Sequence, residues 1–147
     1  MSFANNKSIA VEFIEEVLNG GNLDKITNLI SPNIVWHGQY KKVKGLKSLK
    51  KWLSLERSIF PEMQFRILDN LAERDKVAIR WVLQGTLKKK PSNHKKLQIM
   101  GISIFQFEDD KIKETWIAFD ALNPALQIGV VDVVSSEVQK VKRHVSL

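Results

Sequence analysis

The sequence predicts an α+β fold: a curved, mostly antiparallel sheet wrapped around N-terminal helices, with an internal cavity between them. Three observations lead there. Apolar residues recur at helical spacing through residues 5–59, with one strand-like interruption, and at strand spacing from residue 64 onward. The resulting order is helix, helix, strand, helix, then four strands in two hairpins, which segregates helices from sheet instead of alternating them. Finally, the hairpin 97–120 is apolar on both faces, so both need cover, one by helices and the other by a partner or more sheet.

The elements follow in order. Ile9, Ala10, Phe13, Ile14, Val17 and Leu18 form one helical face, with Asn5, Asn6 and Ser8 as candidate N-caps and Gly20-Gly21 as the stop. Asn22 can cap a short second helix that buries Leu23, Ile26, Leu29 and Ile30 and ends at Ser31-Pro32-Asn33. Residues 34–40 (IVWHGQY) read as the first strand. Gly45 precedes a helix over 46–59, with Leu46, Leu49, Trp52, Leu53 and Leu55 inward and Lys47, Lys50 and Lys51 outward. Residues 64–72 and 76–87 are strands joined at Glu73-Arg74-Asp75. A polar, basic loop, KKKPSNHKK at 88–96, leads into the second hairpin. After Asn123-Pro124 the stretch ALQIGVV suggests a short helix, and residues 130–147 are a weakly amphipathic extension that the pattern does not place.

The second hairpin attracts the most interest. A two-residue turn at Asp109-Asp110 pairs Phe107 with Ile112, Phe105 with Glu114 and Ser103 with Trp116. One face then carries Gly101, Ser103, Phe105, Phe107, Ile112, Glu114, Trp116, Ala118 and Asp120. The other carries Ile102, Ile104, Gln106, Lys113, Thr115, Ile117 and Phe119. Glu114 and Asp120 thus fall among aromatics, where a carboxylate must be paired, protonated or used.

Length and composition bound the function. The 147 residues make one domain, long enough for a sizeable core. The absence of Cys excludes disulfides, thiolate nucleophiles and Cys-based metal sites. The three histidines, His37, His94 and His144, lack metal-ligand spacing, so no metal and no cofactor is expected. The opening MSFANNKSIAVEF has no leader pattern and no apolar run approaches a membrane span, which predicts a cytoplasmic protein with no membrane partner. The net charge of +7 resides in lysine clusters at 41–51 and 88–96. No nucleic-acid motif accompanies them and the aromatics sit in apolar periodic positions, which argues against a nucleic-acid partner.

Four pieces of the chain resemble the SnoaL-like polyketide cyclases, in the nuclear-transport-factor-2-like superfamily that also holds ketosteroid isomerase. They are EEVLNGGNLDKITNLISPNIVWHG, GLKSLKKWLSLERSIFPEMQFRI, DKVAIRWVLQGTL and MGISIFQFEDDKIKETWIAFDALN. The resemblance implies a cone-like fold and a small-molecule site in its cavity. It also implies roles. The aspartate that ends the family's Trp-x-x-x-Asp strand matches Asp120, a catalytic acid/base, and the histidine of its His-Gly motif matches His37. The strand histidine of the ring-closing members has no counterpart, since Phe105 and Gln106 occupy that stretch.

Each candidate has a plainer alternative. Asp120 could be a general base next to a substrate carbonyl, its pKa raised by an apolar pocket, or the N-cap of a helix from Ala121. His37 could shuttle a proton or be a hydrogen-bonded wall residue. Glu114 could be a second acid or a cross-strand ion pair with Arg80 or a lysine; Arg80 could bind an anion or lie exposed. Trp36, Trp116 and Phe105 could line a ligand pocket or fill the core. Two functions compete. One is an enzyme working by cofactor-free acid/base chemistry (cyclisation, isomerisation or hydrolysis) on a hydrophobic carbonyl or ester compound. The other is a non-catalytic module binding a small ligand or a protein. The apolar face with Ile102, Ile104, Ile117 and Phe119 predicts a homodimer.

Overall fold

A computed structural model describes residues 2–88 and 94–121. Helix α1 (Phe3–Glu12) starts at Ser2, whose hydroxyl accepts the Asn5 N–H at 3.2 Å, so Ser2 is the cap and not Asn5, Asn6 or Ser8. The helix continues as wider π-helical turns, Phe13–Asn19, and stops at Gly20 and at Gly21, whose φ of +69° is open to glycine. A 3₁₀ turn (Leu23–Lys25) and the single turn α2 (Ile26–Leu29) follow. Strand β1 (Ile30–His37) begins four residues earlier than the pattern suggests, because Ile30 is fully buried as a strand residue rather than on a helix face. Strand β2 (Lys42–Lys44), within a stretch read as merely basic, hides Val43 between two exposed lysines. Helix α3 (Leu46–Ile59) buries Leu49 and Leu53, while Leu55 points to solvent.

Strands β3 (Gln64–Glu73), β4 (Lys76–Lys88), β5 (His94–Glu108) and β6 (Lys111–Phe119) complete one six-stranded sheet of order β2-β1-β6-β5-β4-β3. All its pairings are antiparallel except β1 with β6. The helices cover the concave face, around a core that includes Phe13, Ile14, Ile34, Leu49, Ile79, Phe105 and Ile112. Two contacts tie helix ends to the sheet and to each other. The Asn19 side chain acts as a strand partner to Phe65, donating to its carbonyl at 2.9 Å and accepting its N–H at 2.7 Å. Arg57 of α3 donates to the Leu18 and Asn19 carbonyls at 2.9 and 3.2 Å, satisfying acceptors that a helix end leaves open.

The second hairpin departs from the expected register at one residue. Phe107 does pair with Ile112, but Gln106 pairs with Glu114, Phe105 with Thr115 and Ser103 with Ile117. Lys113 is extra, a β-bulge, and every residue after it exchanges faces. The cause is apolar parity. Ile112 and Ile117 both belong inside, yet they are five residues apart, which regular alternation cannot satisfy. The inner face therefore holds Gly101, Ser103, Phe105, Phe107, Ile112, Thr115, Ile117 and Phe119. The outer face holds Ile102, Ile104, Gln106, Glu114, Trp116, Ala118 and Asp120. The helix expected after Asn123-Pro124, the extension 130–147, His144 and most of the basic loop lie outside the described residues.

Candidate functional site

Between the helices and the concave sheet lies a cavity of about 250 Å³. Its helical wall comes from Ile14 and Leu18 of the π-helical turns and from Leu53 and Glu56 of α3, with Phe60 and Met63 following. Its sheet wall comes from Trp36, Phe65, Trp81, Leu83, Ile99, Ser103, Phe105, Ile117 and Phe119. Rings fix this wall. Phe65 and Trp81 meet edge to face at 5.0 Å, and Phe13 behind them meets Trp36 at 5.8 Å and Phe105 at 6.0 Å. Such pairs favour one arrangement over others of equal area. The surface is thus almost wholly carbon, suited to a small hydrophobic compound.

Among the described residues, Glu56 is the only ionisable side chain in this lining. Burial in the apolar wall raises its pKa from the usual 4.5 to about 6, while a hydrogen bond with the Trp52 side chain pulls the other way. Ser103 is the other polar group: its Oγ accepts the Trp81 indole N–H at 2.9 Å. Neither residue was singled out from the sequence. Glu56 had a readable signal, because Leu49, Leu53, Glu56 and Phe60 are spaced four, three and four residues apart and fall on one helical stripe.

The expected site residues divide between two faces. Trp36 and Phe105 line the cavity. Asp120 does not. It lies exposed on the outer face, beside a shallow cleft formed with Arg80, Met100, Ile102 and Ala118, and its N–H continues the ladder by donating to the Met100 carbonyl at 3.0 Å. His37 is also outside, since Trp36 takes the inward position of that strand. Its Nε2 lies 2.7 Å from Glu114 Oε1, and its ring stacks on Trp116 at 5.4 Å with planes 3° apart. Lys76 Nζ stands 5.9 Å from the Trp116 ring. Glu114 thus has a hydrogen-bond partner other than Arg80, which pairs with Asp69 on the outer face. The expected meeting of Asp120 and His37 in the inner cavity is not found, and the Lys113 bulge is the physical reason for Asp120, Glu114 and Trp116.

Among the described residues no group of three or more His, Asp or Glu side chains is placed to hold a metal ion. Nor is any helix there long and apolar enough to cross a membrane.

Comparison with known proteins places this architecture. Three similar solved structures are IdmH, a candidate polyketide cyclase from Streptomyces antibioticus, AclR, a candidate hydroxylase from Streptomyces galilaeus, and a SnoaL-like polyketide cyclase from Agrobacterium tumefaciens. Their identities to this chain are 21%, 22% and 20%, with TM-scores of 0.75, 0.75 and 0.73. The matches cover 84%, 87% and 87% of this chain and 98%, 98% and 99% of theirs. At that identity they show a shared fold. No curated protein matches by sequence. The profile of the SnoaL-like polyketide cyclases matches residues 8–128. The chain belongs to the SnoaL-like polyketide cyclase family.

Proposed function

We propose that this protein binds a small hydrophobic carbonyl compound in the inner cavity and moves a proton on it through Glu56, without a cofactor. The observation that carries this reading is one carboxyl group, with a pKa of about 6, the only ionisable side chain among the described residues of a mainly apolar cavity. A base works best when its pKa approaches the working pH, so that it is ionised and still holds a proton once taken. Cyclisation and isomerisation suit the site better than hydrolysis, because the lining offers few groups to hold an attacking water. The corresponding non-catalytic reading keeps the ligand and drops the proton transfer.

Deuterium exchange at C1 of 2-tetralone, whose benzylic α-protons are activated by the adjacent carbonyl, separates the two. In D₂O the protein should accelerate exchange, and Glu56→Gln should reduce that acceleration by about 10²-fold or more while still binding the ketone. Asp120→Asn should leave exchange unchanged, given its place on the outer face. A loss of exchange in Asp120→Asn with Glu56→Gln intact would return the catalytic role to Asp120.

The same reading includes a homodimer formed through the outer sheet face. Paired rows cross that face: Leu71, Ala78, Ile104 and Trp116 in one, Asp69, Arg80, Ile102 and Ala118 in the next. Met100, Ile102 and Ile104 are 48%, 48% and 38% exposed along one strand, an apolar stripe that a second sheet would cover. Ile117 and Phe119, which the sequence pattern placed in this interface, are cavity residues instead. Ile102→Glu with Ile104→Glu should convert dimer to monomer in sedimentation analysis. A double variant that still sediments as a dimer rules this interface out.

A further inference from the structure

We infer that the Ser103 hydroxyl orients the ligand by donating a hydrogen bond to its carbonyl oxygen. The argument begins with hydrogen counting. An indole N–H can only donate, so the 2.9 Å contact with Trp81 uses an acceptor site on Ser103 Oγ and leaves the hydroxyl proton unspent. Among the described residues no acceptor takes that proton. Ser103 is 5% exposed, so bulk water does not serve it freely. A buried donor without a partner costs about 1–3 kcal/mol, a cost that a ligand acceptor removes. The surrounding lining is carbon apart from Glu56, so the missing acceptor is an oxygen brought in by the ligand.

The pair is built into the sheet. Trp81 lies directly opposite Gly101 in the β4–β5 ladder, and Ser103 is the next inward residue along β5. A Cβ at position 101 would stand 2.4 Å from Cη2 and Cζ2 of the Trp81 ring. The glycine therefore lets the indole lie flat enough against β5 to reach Ser103. The bond it gives also polarises the hydroxyl, making Ser103 a better donor.

This assignment deepens the reading of the cavity and rests on it for the chemical step. Glu56 lies on the helical wall and Ser103 on the sheet wall. A ketone held by its oxygen at Ser103 would turn its α-carbon toward the helices. When the α C–H bond breaks, the proton passes to the Glu56 carboxylate. The C–H pair becomes the C=C bond, and the carbonyl π pair moves to oxygen, where the Ser103 O–H meets the growing charge. Returning the proton from Glu56 to a carbon closes the cycle. Substrates of this class are apolar compounds with one carbonyl and an α-hydrogen on the side away from the sheet.

Paired probes test the donor separately from the chemistry. Dissociation constants of 2-tetralone and of tetralin, which lacks the oxygen, are read from tryptophan fluorescence in the full chain. Ser103→Ala should weaken the ketone relative to the hydrocarbon by about five- to tenfold, the range for one hydrogen bond. Ser103→Thr, which keeps a hydroxyl, should restore the ratio. The carbonyl stretch of ketone bound to the unaltered protein should lie below its value in liquid tetralin, a comparison that needs no variant to fold. An unshifted stretch, or equal weakening of both probes by Ser103→Ala, overturns the donor assignment; tetralin binding would still support the cavity. Failure of both probes to bind overturns both readings. Absence of deuterium exchange with an intact probe ratio overturns the role of Glu56 and leaves Ser103 standing.

Discussion

Phe13→Ala is expected to lower the unfolding free energy by about 3–5 kcal/mol, the range for emptying a fully buried phenylalanine site. Phe13 has no solvent exposure and sits where α1 passes into its π-helical turns. Its ring meets Trp36 and Phe105 edge to face, and both of those line the cavity. Truncation would remove the ring's transfer free energy, leave a void, and free two cavity walls from the ring that fixes them. The π-helical backbone cannot collapse into the space easily, because the Asn19 bonds to Phe65 and the Arg57 bonds to Leu18 and Asn19 hold its far end. Urea unfolding followed by tryptophan fluorescence would measure the loss. Leu55→Ala, on the exposed side of α3, should stay within about 0.5 kcal/mol in the same assay. A Phe13→Ala loss no larger than that of Leu55→Ala would show that the ring does not bear on the core.

Glu56→Gln should change the pH dependence of stability, and its sign follows from the raised pKa. Unfolded, the carboxyl titrates near 4.5; folded, near 6. Between those values the folded state holds more protons than the unfolded one, so stability falls as pH rises through that window and levels off above it. At about pH 3 both states are neutral at this group and nothing is lost. At about pH 8 the carboxylate stays charged in an apolar wall at a cost of about 2 kcal/mol. Glutamine has no charge to desolvate. The variant should match the unaltered protein near the acid end and exceed it by up to about 2 kcal/mol near pH 8. Denaturant midpoints across the range supply the comparison. Parallel curves for the two proteins would mean that water reaches Glu56 and that burial does not tune it.

The helices, the two hairpins and their turns were legible because each rests on local periodicity and on Gly, Pro and Asp punctuation. Strand β2 was not, since three residues with one apolar side chain carry too little pattern. The start of β1 was misplaced for a related reason: Ile30 fits both the α2 face and a strand, and only tertiary burial decides between them. Trp36 and Phe105, which the pattern left open between pocket and core, line the cavity because their strands keep regular alternation up to those positions. Asp120, Glu114 and Trp116 were placed on the wrong face by an error of one residue, although the odd spacing between Ile112 and Ile117 already marked it. His37 was carried over from the family's His-Gly motif, where strand alternation puts it on the face opposite Trp36. Glu56 is less legible because a lone glutamate in a lysine-rich helix reads as surface, whereas Glu114 and Asp120 fall among aromatics.

The extra residue at Lys113 bears on how sites of this kind diversify. Drawing Lys113 into the regular ladder, so that the bulge is lost, would exchange, in one step, the set Thr115, Ile117 and Phe119 for the set Glu114, Trp116 and Ala118 as the wall of the cavity. Point substitution would need several changes to do as much, each passing through an intermediate with a poorly filled pocket. Gain or loss of the bulge thus offers this strand a short evolutionary route between a carbon-lined cavity and an acidic one. Among relatives that share only about a fifth of their residues, the same letters after the turn can then serve opposite sides of the sheet. Roles are better transferred between them by strand parity than by matching a motif.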